Sequence, residues 1–228
     1  MSERAVSSCM ITVCRGFEPG RCRFSLVEGG LSSADVDAAV AATGWDDFVK
    51  SRARGPLMQH DAFKVALTGC ANGCSRPHIM DVGLIRAERP GAADDACTAC
   101  GLCIRQCPEG ALTPMGNDSS CPATMCARPA GTPVLDVASC VSCGRCLRRC
   151  PEHALPVVAA GWRIVVGGRL GRRPRLATEL PGIFDDATAL VILDRAARWF
   201  MRDHRPGLRF ADIVAKSPEG LSALVEGV

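Results

Sequence analysis

Cys97-Thr-Ala-Cys100-Gly-Leu-Cys103-Ile-Arg-Gln-Cys107-Pro-Glu-Gly-Ala-Leu112 is echoed further along the chain as Cys140-Val-Ser-Cys143-Gly-Arg-Cys146-Leu-Arg-Arg-Cys150-Pro-Glu-His-Ala-Leu155. Each copy spaces its cysteines as CxxCxxCxxxCP. That spacing lets three thiolates of one tight loop grip three irons of a cubane cluster while the fourth reaches the neighbouring cluster. Two matched copies predict two 4Fe-4S centres about a local pseudo-twofold axis. Cys97, Cys100, Cys103 and Cys150 are expected to hold the first, and Cys107, Cys140, Cys143 and Cys146 the second. Zinc is a poor alternative, because a structural zinc site takes four ligands in two separated pairs and a run of four cysteines overfills it.

Working outward, 228 residues with 47% apolar content can bury a core. Fifteen cysteines would mark a disulfide scaffold only in a short secreted chain. The stretch Met1-Ser-Glu-Arg-Ala-Val-Ser-Ser-Cys-Met-Ile11 has no apolar signal core, and no run is long enough to span a bilayer. A cytoplasmic protein with no membrane span, whose thiols serve as cluster ligands, is therefore expected. Of the 27 basic residues 24 are Arg, Lys standing only at 50, 64 and 216. The planar guanidinium fork suits carboxylates and sulfur oxyanions. Nucleic acid is excluded as a partner, since aromatics make up 4% of the chain, Tyr is absent, and the basic residues are not interleaved with rings.

Ahead of the repeat, Cys9, Cys14 and Cys22 sit where glycines and a proline in Val13–Leu26 mark a loop. Ser32 and Ser33 are N-cap candidates for a helix carrying Val36, Ala39 and Val40 on one face, and Trp45 to Arg54 reads as a second. Phe63-Lys-Val-Ala-Leu67 alternates as a half-buried strand and runs into Thr68-Gly-Cys70-Ala-Asn-Gly-Cys74; Ile79 to Ile85 reads as another strand. Between the two copies, Cys121 and Cys126 have no matching partner pair and read as inert loop or core cysteines. Behind the repeat come a strand, Trp162 to Val166, an amphipathic helix from Asp185 to Arg202 and a short final helix from Phe210 to Lys216. The domain plan is thus 1–89, a two-cluster ferredoxin-like insert at 90–156, and 157–228, with strands on both sides of the insert belonging to one interrupted α+β domain. His78 and His153 lie near cysteine loops but receive no role, because a lone His is more often an ordinary polar residue.

The outer parts carry a family resemblance. Thr68-Gly-Cys-Ala-Asn-Gly-Cys-Ser-Arg-Pro77, with Val82-Gly-Leu84 after it, resembles the second cysteine motif of the sirohaem nitrite and sulfite reductase family. Cys14 and Cys22-Arg-Phe24 look like that family's first cysteine pair. Trp162-Arg-Ile-Val-Val-Gly-Gly-Arg-Leu-Gly-Arg-Arg-Pro-Arg-Leu176 is similar to its closing motif. With two clusters placed ahead of that motif, residues 11 to 215 are most similar to the catalytic subunit of anaerobic and dissimilatory sulfite reductases, the family's N-terminal half-domain being expected to be missing.

The resemblance implies a sulfite-reductase-type mixed sheet with flanking helices. It implies a third 4Fe-4S cluster on Cys14, Cys22, Cys70 and Cys74, with Cys9 as a substitute ligand and Cys74 as the thiolate bridging to sirohaem. Arg169, Arg172, Arg173 and Arg175 are expected to meet the sirohaem carboxylates, and Arg15, Arg23, Arg76 and Lys64 to bind a small oxyanion and relay protons. The implied activity is anaerobic reduction of sulfite or nitrite, with electrons supplied by a redox partner or subunit. The alternative is a sirohaem-free electron-transfer protein with two or three clusters serving a larger partner.

Overall fold

The apolar run of β2 (Phe63–Thr68) cannot sit at a solvated surface, and the fold places it inside a five-stranded sheet ordered β1 (Cys9–Val13), β2, β3 (Val82–Pro90), β6 (Val157–Val166), β7 (Thr178–Glu179). A computed structural model describes residues 7–53, 55–115 and 131–228. Cys121 and Cys126 lie outside the described residues. The chain divides into two units, one built from Met1–Arg86 and Gly161–Val228 and the other from Ala87–Ala160. The second unit begins and ends a few residues beyond 90–156, because β3 (Val82–Pro90) and β6 (Val157–Val166) run on into it. Among the described residues no helix is long and apolar enough to cross a membrane.

In the first unit, β1 (Cys9–Val13) pairs parallel with β2 from Cys9↔Phe63 to Val13↔Leu67, and β2 pairs parallel with β3 from Val65↔Val82 to Thr68↔Ile85. Further along the sheet, β7 (Thr178–Glu179) pairs antiparallel with β6, so the sheet is mixed. Parallel strands covered on both faces read as continuous apolar runs. This corrects the half-buried reading of β2: every residue except Lys64 is buried. The strand expected at 79–85 begins later, because Pro77–Ile79 forms a 3₁₀ turn with proline at its start, where the missing N–H costs nothing. β1 was not legible, since its outer residues Thr12 and Val13 are exposed on an edge.

Helix α1 (Ser33–Ala42) starts on a capping box, in which Ser32 Oγ accepts the Asp35 N–H at 3.3 Å and the Asp35 carboxylate accepts the Ser32 N–H at 2.8 Å. Such a cap contributes about 1 kcal/mol. Helix α2 (Trp45–Arg52) brings Trp45 to within 5.2 Å of both Phe63 and Phe200. Helix α5 (Asp186–Asp203), capped by Asp185, buries Ile192, Leu193, Ala196, Ala197 and Phe200 on its inward stripe. Phe210, on α6 (Phe210–Lys216), stacks on Phe200 at 5.2 Å. α6 is not the last helix: Gly220–Val225 forms α7, which the spacing did not reveal.

The second unit is built on the repeat. Helix α3 (Leu102–Gln106) and helix α4 (Arg145–Arg149) each start after a left-handed glycine, Gly101 (φ 69°) and Gly144 (φ 64°), and each ends at a cysteine. The left-handed positions match copy for copy: Ala99 with Ser142, Gly101 with Gly144, and Gly110 with His153. The copies also exchange backbone bonds reciprocally, Asp94 N–H to Ala154 O at 2.9 Å and Asp136 N–H to Ala111 O at 2.8 Å. β4 (Leu112–Pro114) pairs antiparallel with β5 (Pro133–Leu135), and Leu112, Leu147 and Leu155 pack with Cys103 and Cys146 as a small core.

Candidate metal centres

The reciprocal exchange sends the end of each copy to the start of the other. One cavity is lined by Cys97, Cys100, Cys103 and Cys150, and a second by Cys107, Cys140, Cys143 and Cys146. Each therefore takes three cysteines from one copy and the fourth from the other. Left-handed turns at Ala99 and Ser142 fold each CxxC loop back on itself, and the short helix behind it carries the third cysteine inward. Cys140 Sγ accepts the Ser142 N–H at 3.4 Å, and Cys150 Sγ the Ala154 N–H at 3.3 Å. Burial pushes the Cys146 thiol up to about 12, despite the Leu147 N–H, with Cys143 and Cys140 adding to it; burial raises Cys103 too, with Cys150 and Cys100 among the lesser causes. A metal bound here would have to overcome that preference, since a coordinated thiol gives up its proton. Among the described residues no three acidic, His or Cys side chains close on a single ion; each set of four instead surrounds a volume.

A third convergence forms in the first unit, at the C-terminal ends of β1 and β2. The register Val13↔Leu67 brings the residues after both strands side by side, and the Cys14 N–H bonds Leu67 O at 3.0 Å. Cys14 Sγ then accepts two backbone N–H groups, Gly69 at 3.1 Å and Gly16 at 3.3 Å. Ser25 Oγ donates to Gly16 O at 2.7 Å and the Leu26 N–H reaches Gly69 O at 2.8 Å, which anchors the chain just after Cys22. Gly69 is needed for this approach, since a Cβ there would stand 2.8 Å from Ser25 Oγ. Cys70 is buried, and its thiol is raised first by burial; the Asn72 N–H lowers it, while Cys22, Cys14 and Cys74 push it up. All four thiols are thus electrostatic neighbours. Cys74 is exposed, and the loop after it is pinned by Ser75, which hydrogen-bonds Thr68 and donates to Leu67 O at 2.9 Å.

The Arg-rich loop docks on the segment following Cys74. Gly168 N–H bonds Met80 O at 2.9 Å, Ala177 N–H bonds His78 O at 2.7 Å, and Arg169 and Arg175 close the loop through a mutual backbone pair. Arg172 and Arg173 are exposed and Arg175 half-buried. Arg169 differs: its Nη1 meets Asp212 Oδ1 at 2.6 Å and its Nε donates to Arg173 O at 2.8 Å, so its guanidinium holds the loop together. Arg15, Arg23 and Arg76 are exposed beside Cys14, Cys22 and Cys74, with Arg23 stacked 4.7 Å over Phe24 and Arg76 left-handed at φ 58°.

Lys64 stands apart from these. It lies four strand residues, about 13 Å, before Thr68, and its charge is disfavoured by burial and by Arg209. Its neighbours are Arg209 and the wholly buried Asp81, whose carboxylate accepts the Lys64 N–H at 2.9 Å and is pushed up to about 6 by burial. Cys9 sits at the same end: it is buried, and its thiol is pushed up to about 12 by burial and then by Asp37, Asp46 and Asp81. It is a core residue, separated from Cys14 by the length of β1. Gly16, Ser25, Gly69 and Ser75 were missed as site-building residues; the signal for them was their position beside the cysteines at strand ends.

A family model described as the nitrite and sulphite reductase 4Fe-4S domain matches residues 36–219. The chain is 34% identical over 91 residues to the coenzyme F420-dependent sulfite reductase of Methanocaldococcus jannaschii, covering 40% of this chain and 14% of that protein. It is similar to the crystal structure of dissimilatory sulfite reductase I (DsrI), with TM-score 0.55 and 16% identity, over 94% of this chain and 51% of that one. It is also similar to the Mycobacterium tuberculosis NirA protein, with TM-score 0.46 and 17% identity, over 92% of this chain and 26% of that one. The chain thus spans 14% of that curated relative's length and about half of the DsrI chain.

Proposed function

The chain belongs to the nitrite and sulphite reductase 4Fe-4S domain family, and on that premise we propose that it is an iron-sulfur oxidoreductase that reduces sulfite or nitrite. In this reading Cys97, Cys100, Cys103 and Cys150 hold one 4Fe-4S cluster, Cys107, Cys140, Cys143 and Cys146 a second, and Cys14, Cys22, Cys70 and Cys74 a third. The observation that carries it is the seating of the Arg-rich loop on the segment following Cys74, through Gly168 and Ala177. That ties the loop carrying Arg172, Arg173 and Arg175 to the turn that follows the exposed Cys74. These residues fit a carboxylate-rich macrocycle: the exposed Cys74 would supply a thiolate to its iron, and Arg172, Arg173 and Arg175 would offer forks for its carboxylates.

When bound, the clusters and sirohaem supply single electrons and an iron to take the substrate. The chain's own part is electrostatic. Arg15, Arg23 and Arg76 neutralise the oxyanion and orient it, since fixed guanidinium charge costs no reorganisation at the moment of reaction. Protons for the departing oxygen come through the same exposed rim rather than from Lys64, which belongs to the opposite end of β2. The electron donor is a redox partner protein or subunit.

A second reading, a carrier with two or three clusters and no sirohaem, is favoured by Arg169, whose guanidinium is already committed to Asp212. Protein purified without oxygen decides between them. About twelve irons per chain with a Soret band and sulfite- or nitrite-dependent oxidation of a reduced viologen supports the enzyme. About eight or twelve irons with only a broad brown shoulder supports the carrier, and colourless protein rejects both.

A further inference from the structure

We infer that Arg145 makes the cluster held by Cys107, Cys140, Cys143 and Cys146 the stronger electron acceptor of the pair, so that electrons move to it from the cluster of Cys97, Cys100, Cys103 and Cys150. This rests on the cluster reading above and adds a direction to it. The two cavities are lined by matching positions of the repeat: Gly101-Leu102-Cys103 in one and Gly144-Arg145-Cys146 in the other. The remaining charged residue of each lining is a glutamate at one shared position, Glu152 and Glu109. The formal charge that differs between the linings is therefore Arg145 against Leu102.

Arg145 is not a loose surface arm. It is half-buried, and its Nη2 reaches across the pseudo-twofold to Gln106 Oε1 at 3.3 Å. Gln106 occupies in α3 the position that Arg149 occupies in α4. Helix α4 thus carries three arginines where α3 carries one, and Arg148 Nη2 further donates to Cys143 O at 3.3 Å. Reduction adds an electron to a cage already ringed by thiolates, so a fixed cation at the wall favours the reduced form. A partly buried charge is screened less than an exposed one.

Solvent works the other way. Cys100 is exposed while Cys143 is half-buried, and water stabilises added charge on the first cluster. A whole cation at the cavity wall outweighs a difference in exposure at one ligand. Removing the cation should leave the solvent effect in command. The transfer is one electron with no bond made or broken and no proton moved: the first cluster goes from [4Fe-4S]⁺ to [4Fe-4S]²⁺ and the second the reverse. The electron enters from a low-potential one-electron donor.

The test is an anaerobic potentiometric titration of the full chain followed by EPR, with iron and sulfide counted in each sample. Cys107→Ser, which spares the first cluster's ligands, assigns the signals. The wild-type chain should reduce the second cluster first by at least tenfold, about 59 mV for one electron. Arg145→Leu should lower the second cluster alone and reverse the order, while Arg145→Lys should keep it. Equal potentials, reduction of the first cluster first in the wild type, or an Arg145→Leu shift in both clusters or neither overturns the inference. Too little iron for two clusters in the wild type instead overturns the cluster reading, and this inference with it.

Discussion

Gly83 pairs with Ala66 and not with a cysteine, yet its replacement by alanine should empty the third site. A Cβ there would stand 2.5 Å from Pro77 Cβ, 2.7 Å from Pro77 O and 2.7 Å from Val165 Cγ2. Carbon atoms rest about 3.5–4.0 Å apart, so roughly an ångström must be recovered. Val165 is 1% exposed and paired with Glu179, so β6 has nowhere to go. Pro77 yields instead, and it sits three residues after Cys74 in a turn whose Met80 N–H closes on Pro77 O at 3.2 Å. Overpacking of this kind costs about 1–3 kcal/mol, or roughly 2–12 °C in Tm for a chain of this size. The larger effect is on geometry, since a cubane tolerates little displacement of one thiolate. Gly83→Ala should take the iron content from about twelve toward eight per chain. The signals of the two repeat clusters should stay intact. Gly55→Ala is the control, because nothing among the described residues stands within 4 Å of the new carbon. If Gly83→Ala keeps twelve irons and melts with the wild type, the link from Gly83 through Pro77 to the cysteine loop is wrong.

Cys150→Ser should cost the first copy's cluster and Cys107→Ser the second's, each removing about four irons; EPR showing the loss in the same copy as the substitution would refute the crossed assignment. Cys9→Ala should leave the iron content unchanged, and Cys9 should resist alkylation until the chain unfolds, because its thiol is pushed up to about 12; iron loss in that variant would restore Cys9 as a ligand. Asp81 is raised from 3.8 to about 6, chiefly by burial and against the Lys64 N–H, Arg209 and Lys64. Because the native state binds this proton more tightly than the unfolded chain, its contribution is fully present below a pH of about 4 and is lost as pH rises through about 6, at most about 3 kcal/mol. Denaturant titrations should show that decline in wild type and not in Asp81→Asn; an identical profile in both would rule Asp81 out as its source.

Legibility followed how local each determinant is. The helix at Asp185 to Arg202 was readable because capping by Asp185 and the stripe of Leu193, Ala197 and Phe200 are properties of one short stretch. The meeting of the cysteines was readable for the same reason: three of the four lining each cavity come from one loop, and the symmetry of the copies names the fourth. β2 was recognised as a strand but misjudged in burial, because Lys64 produced an apparent alternation in a central parallel strand that is buried on both faces. Lys64 was expected to bind the oxyanion, and it stands six residues before Cys70 in the sequence. A strand rises about 3.3 Å per residue, so nearness along it becomes distance across the sheet. Arg145 went unnoticed since its meaning lies in the comparison with Leu102, which only the matched cavities make visible.

The third site depended on information that spacing does not contain. Seven residues separate Cys14 from Cys22, a gap long enough to cast doubt on a shared cluster if loop length fixed where Cys22 lands. The chain is instead re-anchored beyond the loop, by Ser25 on Gly16 O and by Leu26 on Gly69 O. With Cys14 held at the end of β1 and residues 25–26 tied to the end of β2, Cys22 is placed by its downstream anchor, three residues away from Ser25. The intervening residues 18–21 are then free to lengthen without moving a thiolate, as loop-closure entropy grows only slowly with length. What positions the four thiols is the β1–β2 register with the glycines that let the anchors close, and a one-residue slip of Val13↔Leu67 would scatter them as surely as deleting one of them.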